Sequence, residues 1–435
     1  MNKRHLVIRN LGPIKEIDIF LNRFNWFIGP QSSGKSTIAK VISTCEWIEK
    51  EVATSLNPKC IPNGAMFRSL VEKFHKINDY FDKPVNSTVL YETDIVKIEY
   101  ENKELNITLL DMDKYQRQKI SYIPSERNMI SLPELDGFEF KNTSLKSFLF
   151  DWWSARDSFT ENSSLDILNL GFRYYYDKNR TENKDRIQHT NGLTYDIALS
   201  DASSGLQSAT PLFVMLNYYT SEYFNEYDAK SSFKDERRLY NTRISLMGHH
   251  ILSKLYPHYQ KRVMAEMFKE LNERIERMDE ETIKLYKEYE DALKRLQIPV
   301  RTSFIIEEPE QNLFPDTHVR LIHDILNMCH KEKEHRCTIT THSPYMLFAL
   351  NNCMLAYLVD SNIEEGYKNE LASIKAKVNP EEVSVWSLHD GFVCDDKGEH
   401  NKTIQDTRGL IRKNYFNEIM RKVMNEFNEL LTYDN

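Results

Sequence analysis

The 435-residue chain carries 57 basic and 65 acidic side chains, a formal net charge of −8, with 40% hydrophobic and 28% charged residues. This balance excludes a disordered polyelectrolyte and a uniformly basic nucleic-acid coat, and no stretch approaches the ~20 apolar residues that span a bilayer. The N-terminus is basic without an apolar core segment, and the six cysteines show neither CxxC nor zinc spacing, so we expect a cytoplasmic chain with reduced thiols.

The first thirty residues read as three short strands. Leu6-Val7-Ile8 is followed by a turn at Gly12-Pro13, then by the alternating Ile14, Ile17, Ile19 and Leu21, then by Phe24 to Ile28. A glycine-rich turn then runs into helical spacing up to about Val52, and residues 65–82 predict a second helix ended by Pro84. From Val89 to Ile123 the period changes to two, which predicts an antiparallel meander. Residues 143–157 predict an aromatic helix, the polar run 177–186 a solvated loop, and residues 204–220 a helix opened by Ser203 or Ser204.

A second polar stretch, about 221–240, precedes a charged region of about 243–297. There Leu255, Val263, Met267, Leu271, Ile275, Met278, Ile283, Tyr286 and Leu293 recur at three-to-four spacing, as in a helical hairpin or a short coiled-coil arm. A plain helical subdomain packed on the core fits the same spacing. Beyond Pro299 the sequence predicts a strand at Ser303–Ile306, a helix from near Pro315, strands at Cys337–Thr341 and Met354–Val359, and an amphipathic helix over the last thirty residues. Strands alternating with helices around a glycine-rich turn make the fold class α/β.

Chemistry concentrates in four places. Gly29-Pro-Gln31-Ser32-Ser33-Gly34-Lys35-Ser36-Thr37 matches G-x-x-x-x-G-K-[ST] between an apolar strand and a helix. Main-chain N–H groups in such a loop wrap phosphate, and the helix N-terminus adds its positive end. Lys35 is the expected counter-charge to β/γ-phosphates, and Ser36 the expected Mg²⁺ ligand. The second place is Glu307-Glu308-Pro309-Glu310, at the carboxyl end of an apolar strand, where ligands gather in α/β sheets. One carboxylate can hold a metal's water shell while its neighbour acts as general base. Third, Thr341-His342-Ser343-Pro344 ends the next strand in a histidine able to sense a γ-phosphate. Fourth, Ser203-Ser204-Gly205-Leu206-Gln207 opens a helix whose free N–H groups suit a second phosphate contact, one that would complete the site of another subunit.

This order of motifs resembles an ABC-type ATPase head of the SMC/RecF and OLD-like branch. Ile8-Arg-Asn-Leu-Gly12-Pro13-Ile14, Tyr122-Ile-Pro-Ser-Glu126-Arg127 and Glu308-Pro-Glu310-Gln-Asn-Leu-Phe-Pro315 point to that branch rather than to transporter subunits. The resemblance implies a P-loop NTPase fold with a mixed central sheet, an antiparallel β-subdomain and an inserted helical arm, divided as 1–220, 221–298 and 299–435. It implies ATP and Mg²⁺ as cofactors, and a head-to-tail homodimer or higher oligomer. Ser204, Gly205 and Gln207 of one protomer would then contact the γ-phosphate held at Lys35 of the other. Carried over, Glu307 replaces the usual metal-orienting Asp, Glu308 is the catalytic base and His342 the switch histidine; no glutamine is placed for the Q-loop.

Two functions compete. In the first, the ATPase controls a separate effector in bacterial anti-phage defence. The residues after His342 show no Toprim-like glutamate and Asp-x-Asp pair, so the expected partner is an effector in trans, such as a nuclease encoded nearby. In the second, a SMC/RecF-like repair ATPase clamps duplex DNA. The mixed-sign clusters Lys234–Arg238 and Lys331–Arg336 and the net charge weigh modestly against it. Nucleic acid stays open as a partner, and a membrane is not expected.

Overall fold

The computed structural model describes residues 4–132, 142–192, 195–226, 280–330 and 333–434, with Leu246 and a few positions between 269 and 277. Most of the predicted 243–297 arm therefore lies outside the described residues. Fifteen strands are defined among those described: β1 Arg4–Leu11, β2 Ile14–Leu21, β3 Phe24–Ile28, β4 Thr88–Glu92, β5 Val96–Glu101, β6 Glu104–Leu109, β7 Gln118–Ile123, β8 Leu165–Asp166, β9 Phe172–Tyr176, β10 Asp185–His189, β11 Asp196–Ala198, β12 Arg301–Glu307, β13 Arg336–Thr340, β14 Val383–His389 and β15 Phe392–Cys394. The longer helices are α1 Lys35–Ser55, α2 Gly64–Glu72, α3 Ser144–Arg156, α4 Ser204–Thr220, α5 Glu222–Glu226, α6 Glu280–Gln297, α7 Pro315–His330, α8 Pro344–Val359 and α9 Tyr415–Leu431.

Eleven strands form one mixed sheet in the order β6-β5-β4-β1-β2-β15-β14-β3-β13-β12-β7, and β11-β10-β9-β8 form a separate antiparallel sheet. The fold is α/β. Within the large sheet β14, β3, β13, β12 and β7 run parallel, and β1, β2, β4, β5 and β6 pair antiparallel. Alternation along the central strands separates two cores. Phe24, Trp26 and Ile28 of β3 and Phe304 and Ile306 of β12 face the core formed with α3, α4, α7 and α8, whereas Phe27 and Ile305 face α1. Strands covered on both faces read as apolar runs, and both were legible for that reason.

Three expectations need correction. Met354–Val359 is the end of a helix, not a strand: Ser343 caps α8 by accepting from the Met346 N–H, and Met346, Leu347, Leu350, Cys353 and Met354 then bury one face. A short apolar run does not distinguish the two states. The second helix stops at Glu72, whose side chain accepts from the Phe81 N–H at 3.1 Å while Lys76 and Asp79 take positive φ. The meander ends at β6, and β7 crosses to pair in parallel with β12. The polar run 177–186 is a largely exposed loop over 177–184, as expected, closed by Asp177 N–H donating to Lys184 O at 2.8 Å, and its last two residues open β10.

Candidate nucleotide site at the carboxyl ends of the parallel strands

The turn between β3 and α1 has the backbone of an anion nest. Gly29, Ser32 and Gly34 take φ of +143°, +59° and +108°, and α1 starts at Lys35. At Gly29 a Cβ atom would lie 2.5 Å from the Leu388 carbonyl oxygen of β14, so only glycine lets the strand and the loop approach. Lys35 is 4% exposed and curls back on its own loop, its Nζ donating to Gly29 O at 2.9 Å and Pro30 O at 2.7 Å. Burial lowers its pKa to about 8, against the pull of Glu308 and Glu310. The Ser33 hydroxyl is buried without a partner, while Gln31 and Ser32 are exposed, Ser36 is half-buried and Thr37 is buried. A curled lysine, an orphaned hydroxyl and a glycine cradle fit a phosphate group.

Glu307 and Glu308 are adjacent yet stand in different surroundings. Glu307 is 2% exposed. The Tyr122 hydroxyl donates to it at 2.7 Å, Lys40 Nζ lies 3.8 Å away, and burial raises its carboxyl pKa. Glu308 leaves the strand with φ +43°, its N–H donating to Thr340 O at 2.9 Å. Its carboxylate meets His342 Nε2 at 3.5 Å, both side chains about one third exposed. The hydrogen bond with His342 lowers its pKa, against burial. The strand order β3-β13-β12 thus sets the phosphate turn, His342 and Glu308 on three neighbouring carboxyl ends. Among the described residues no three His, Cys, Asp or Glu side chains converge as a metal cage. One hydroxyl, Ser36, and one carboxylate, Glu307, suit an ion held mainly by phosphate and water, as Mg²⁺ commonly is.

Three residues without an assigned role hold this arrangement. Glu310 accepts from the Thr341 hydroxyl at 2.8 Å and the His342 N–H at 2.6 Å, which fixes the backbone of His342. His318 bridges Ser343 Oγ at 2.8 Å and Leu313 O at 3.0 Å. Arg127, fully buried, donates to the carbonyls of Glu307 at 2.9 Å, Glu308 at 2.9 Å, Pro309 at 3.1 Å and Ser208 at 3.0 Å. Its place directly after Pro124-Ser125-Glu126 was visible in the sequence, but nothing in that segment says that its partners are backbone carbonyls.

The Ser-Ser-Gly turn stands apart from the phosphate loop. Ser203 caps α4, accepting from the Leu206 N–H, and both Ser203 and Ser204 are exposed. Gln207 donates to Ser200 O at 2.7 Å and Ala202 O at 2.9 Å, so its amide is engaged in its own turn. A Cβ at Gly205 would meet Asn312 O at 3.0 Å, which seats α4 against the segment following Glu310. Among the described residues no hydrogen bond joins 203–207 to 29–37. Phe314, 76% exposed, and Tyr345 and Phe348 leave apolar surface on the segments that follow Glu310 and His342.

No protein-family model matches the chain, and no curated protein matches it. Among solved structures it is similar to an SMC head domain from Thermotoga maritima, at 12% identity over 80% of this chain and 92% of that one, with a TM-score of 0.34. It is also similar to an Smc head domain with an extended coiled coil bound to the C-terminal domain of ScpA derived from Pyrococcus furiosus (11% identity, 90% and 95% of the two chains, TM-score 0.31). A third is the recombination mediator protein RecF-ATPrS (10% identity, 90% and 97% of the two chains, TM-score 0.27). The functional reading rests on the site geometry.

Proposed function

We propose that the chain is an ATP-binding and hydrolysing head of ABC type, in which 1–220 and 299–435 form one catalytic unit and 221–298 an inserted helical segment. Its ATP-driven head-to-tail pairing would control a separate effector protein in anti-phage defence. The observation that carries the ATPase reading is the convergence of Lys35, Glu308 and His342 at three adjacent strand ends.

Lys35 exchanges its loop carbonyls for phosphate oxygens, and the Ser33 hydroxyl gains the partner it lacks. Ser36 and Glu307 would hold Mg²⁺, which would supply charge neutralisation at the phosphates. Glu308 orients the attacking water and takes its proton; His342, fixed from behind by Glu310, keeps Glu308 ionised and aims at the γ-phosphate. The exposed Ser204 hydroxyl and the free N–H groups at the start of α4 are available to a nucleotide on a second copy, which would also cover Phe314.

The test is Glu308→Gln with ATP and Mg²⁺, read by phosphate release and light scattering. The expected result is retained ATP, turnover reduced about 100-fold or more, and an association that accumulates only with ATP. Parental turnover would assign the base to another residue.

A further inference from the structure

The last helix, α9, leaves the body at Asn414, whose buried side chain caps it by accepting from the Phe416 and Asn417 N–H groups. Phe416 packs on the main core, Tyr415 lies 5.8 Å from the His389 ring, and beyond them every described residue of α9 is exposed. Its 17 residues form an arm of about 25 Å. Polar helices tolerate this; α9 is not polar. Met420 is 65% exposed, Val423 57%, Phe427 54% and Leu430 62%, and Ile419, Met424 and Leu431 widen the same stripe. Phe416, Met420, Val423, Phe427 and Leu430 follow one another at alternating intervals of four and three residues, the spacing of a helix that packs along another helix.

The seven apolar residues from Ile419 to Leu431 are each 40% exposed or more, a contiguous apolar face of the kind that marks a protein interface. Its charged borders indicate what covers it. One border carries Lys422 and Glu426, with Glu429 further round; the other carries Asn417, Met424, Asn428 and Leu431, with Arg421 further round. Two copies of α9 laid antiparallel bring like borders together. About a two-fold axis near Met424, Lys422 of each copy then faces Glu426 of the other, so the pair is formed twice. A parallel arrangement would set Lys422 and Glu426 against Asn417, Met424, Asn428 and Leu431, which carry no charge. We infer that α9 is a self-association element that pairs antiparallel with α9 of a second copy, independently of nucleotide and apart from the ATP-dependent contact proposed above.

The test uses the full chain without nucleotide, in sedimentation equilibrium between about 1 and 50 µM. The expected result is a reversible dimer that becomes monomer in Val423→Glu/Phe427→Glu, with nucleotide binding unchanged because α9 carries no site residue. Glu426→Lys should weaken the dimer about tenfold, and the swap Lys422→Glu/Glu426→Lys should restore it. A monomeric parent at 50 µM overturns the inference, as does a dimer that survives Val423→Glu/Phe427→Glu. Failure of the charge swap to restore association overturns the antiparallel arrangement. Loss of ATP hydrolysis in Lys35→Ala leaves these results untouched, so this inference and the ATPase reading fail separately.

Discussion

Arg127 donates from Nε to the carbonyl of Ser208, one turn into the helix that Ser204 opens, while its other nitrogens hold the carbonyls of Glu307, Glu308 and Pro309. One buried guanidinium therefore joins the carboxylate turn to the helix whose N-terminus is offered to a second copy. Burial lowers its pKa to about 10, and Glu310, Glu308 and Glu307 help to keep it charged. Lysine has no fork to reach four carbonyls. Arg127→Lys should lower stability by about 2–4 kcal/mol, since orphaned buried acceptors cost ~1–3 kcal/mol each. It should also cut turnover more than nucleotide affinity. Urea unfolding and steady-state kinetics measure both; a destabilised variant with parental kcat would reduce Arg127 to scaffolding.

Lys35 makes nucleotide affinity pH-dependent. Its pKa without ligand is about 8, and phosphate binds the charged form, so binding raises that pKa. Affinity is then complete below pH 8 and falls as pH rises through it. Between pH 7 and pH 9 the dissociation constant should increase about tenfold. Titration calorimetry over that range checks the slope, and Lys35→Ala should bind too weakly to measure. A flat profile in the parent protein would mean that Lys35 stays charged when buried.

Ser204 occupies the first turn of α4 and is exposed. Ser204→Arg should change stability by less than about 0.5 kcal/mol, as exposed substitutions do. ATP binding to the isolated protomer should persist while ATP-dependent pairing and hydrolysis disappear. Filter binding, light scattering and phosphate release separate the three. Unchanged turnover would sink the idea that α4 completes a neighbour's site.

Acid stability reports on His75. The ring is 3% exposed, both nitrogens lack partners, and it packs edge-on to Phe74 and Tyr122. Burial, with Lys40 nearby, pushes its pKa down to about 3. The unfolded chain protonates this histidine near pH 6.5 and the folded chain does not. Stability from this group is therefore complete above pH 6.5 and is lost as pH falls toward 3. Between pH 7 and pH 5 the loss is about 2 kcal/mol. Urea midpoints for the parent and His75→Phe should diverge by that amount; parallel curves would show a ring that finds water.

The phosphate loop, both glutamates and His342 were legible because each requires a particular residue type at a strand end. Arg127 and Glu310 were not, because their partners are main-chain groups supplied by segments far away in sequence. The separate sheet β8–β11 escaped for a related reason: Phe172-Arg-Tyr-Tyr-Tyr176 buries three consecutive residues, so no alternation marks it. At Met354–Val359 local composition allowed two states and the cap at Ser343 decided between them.

The neighbours of β3 carry a kinetic consequence. Phe24–Ile28 pairs with Arg336–Thr340 on one side and Val383–His389 on the other, both more than 300 residues later in the chain. At ~5–20 residues per second, a ribosome needs roughly 15–60 s to make that intervening length. Throughout that time the strand that carries the phosphate turn is an apolar segment with two empty edges. Long-range parallel pairing is slow to form. The earliest motif to be synthesised is therefore among the last to assemble, and nascent chains halted before residue 383 should be clients of a holding chaperone rather than binders of ATP.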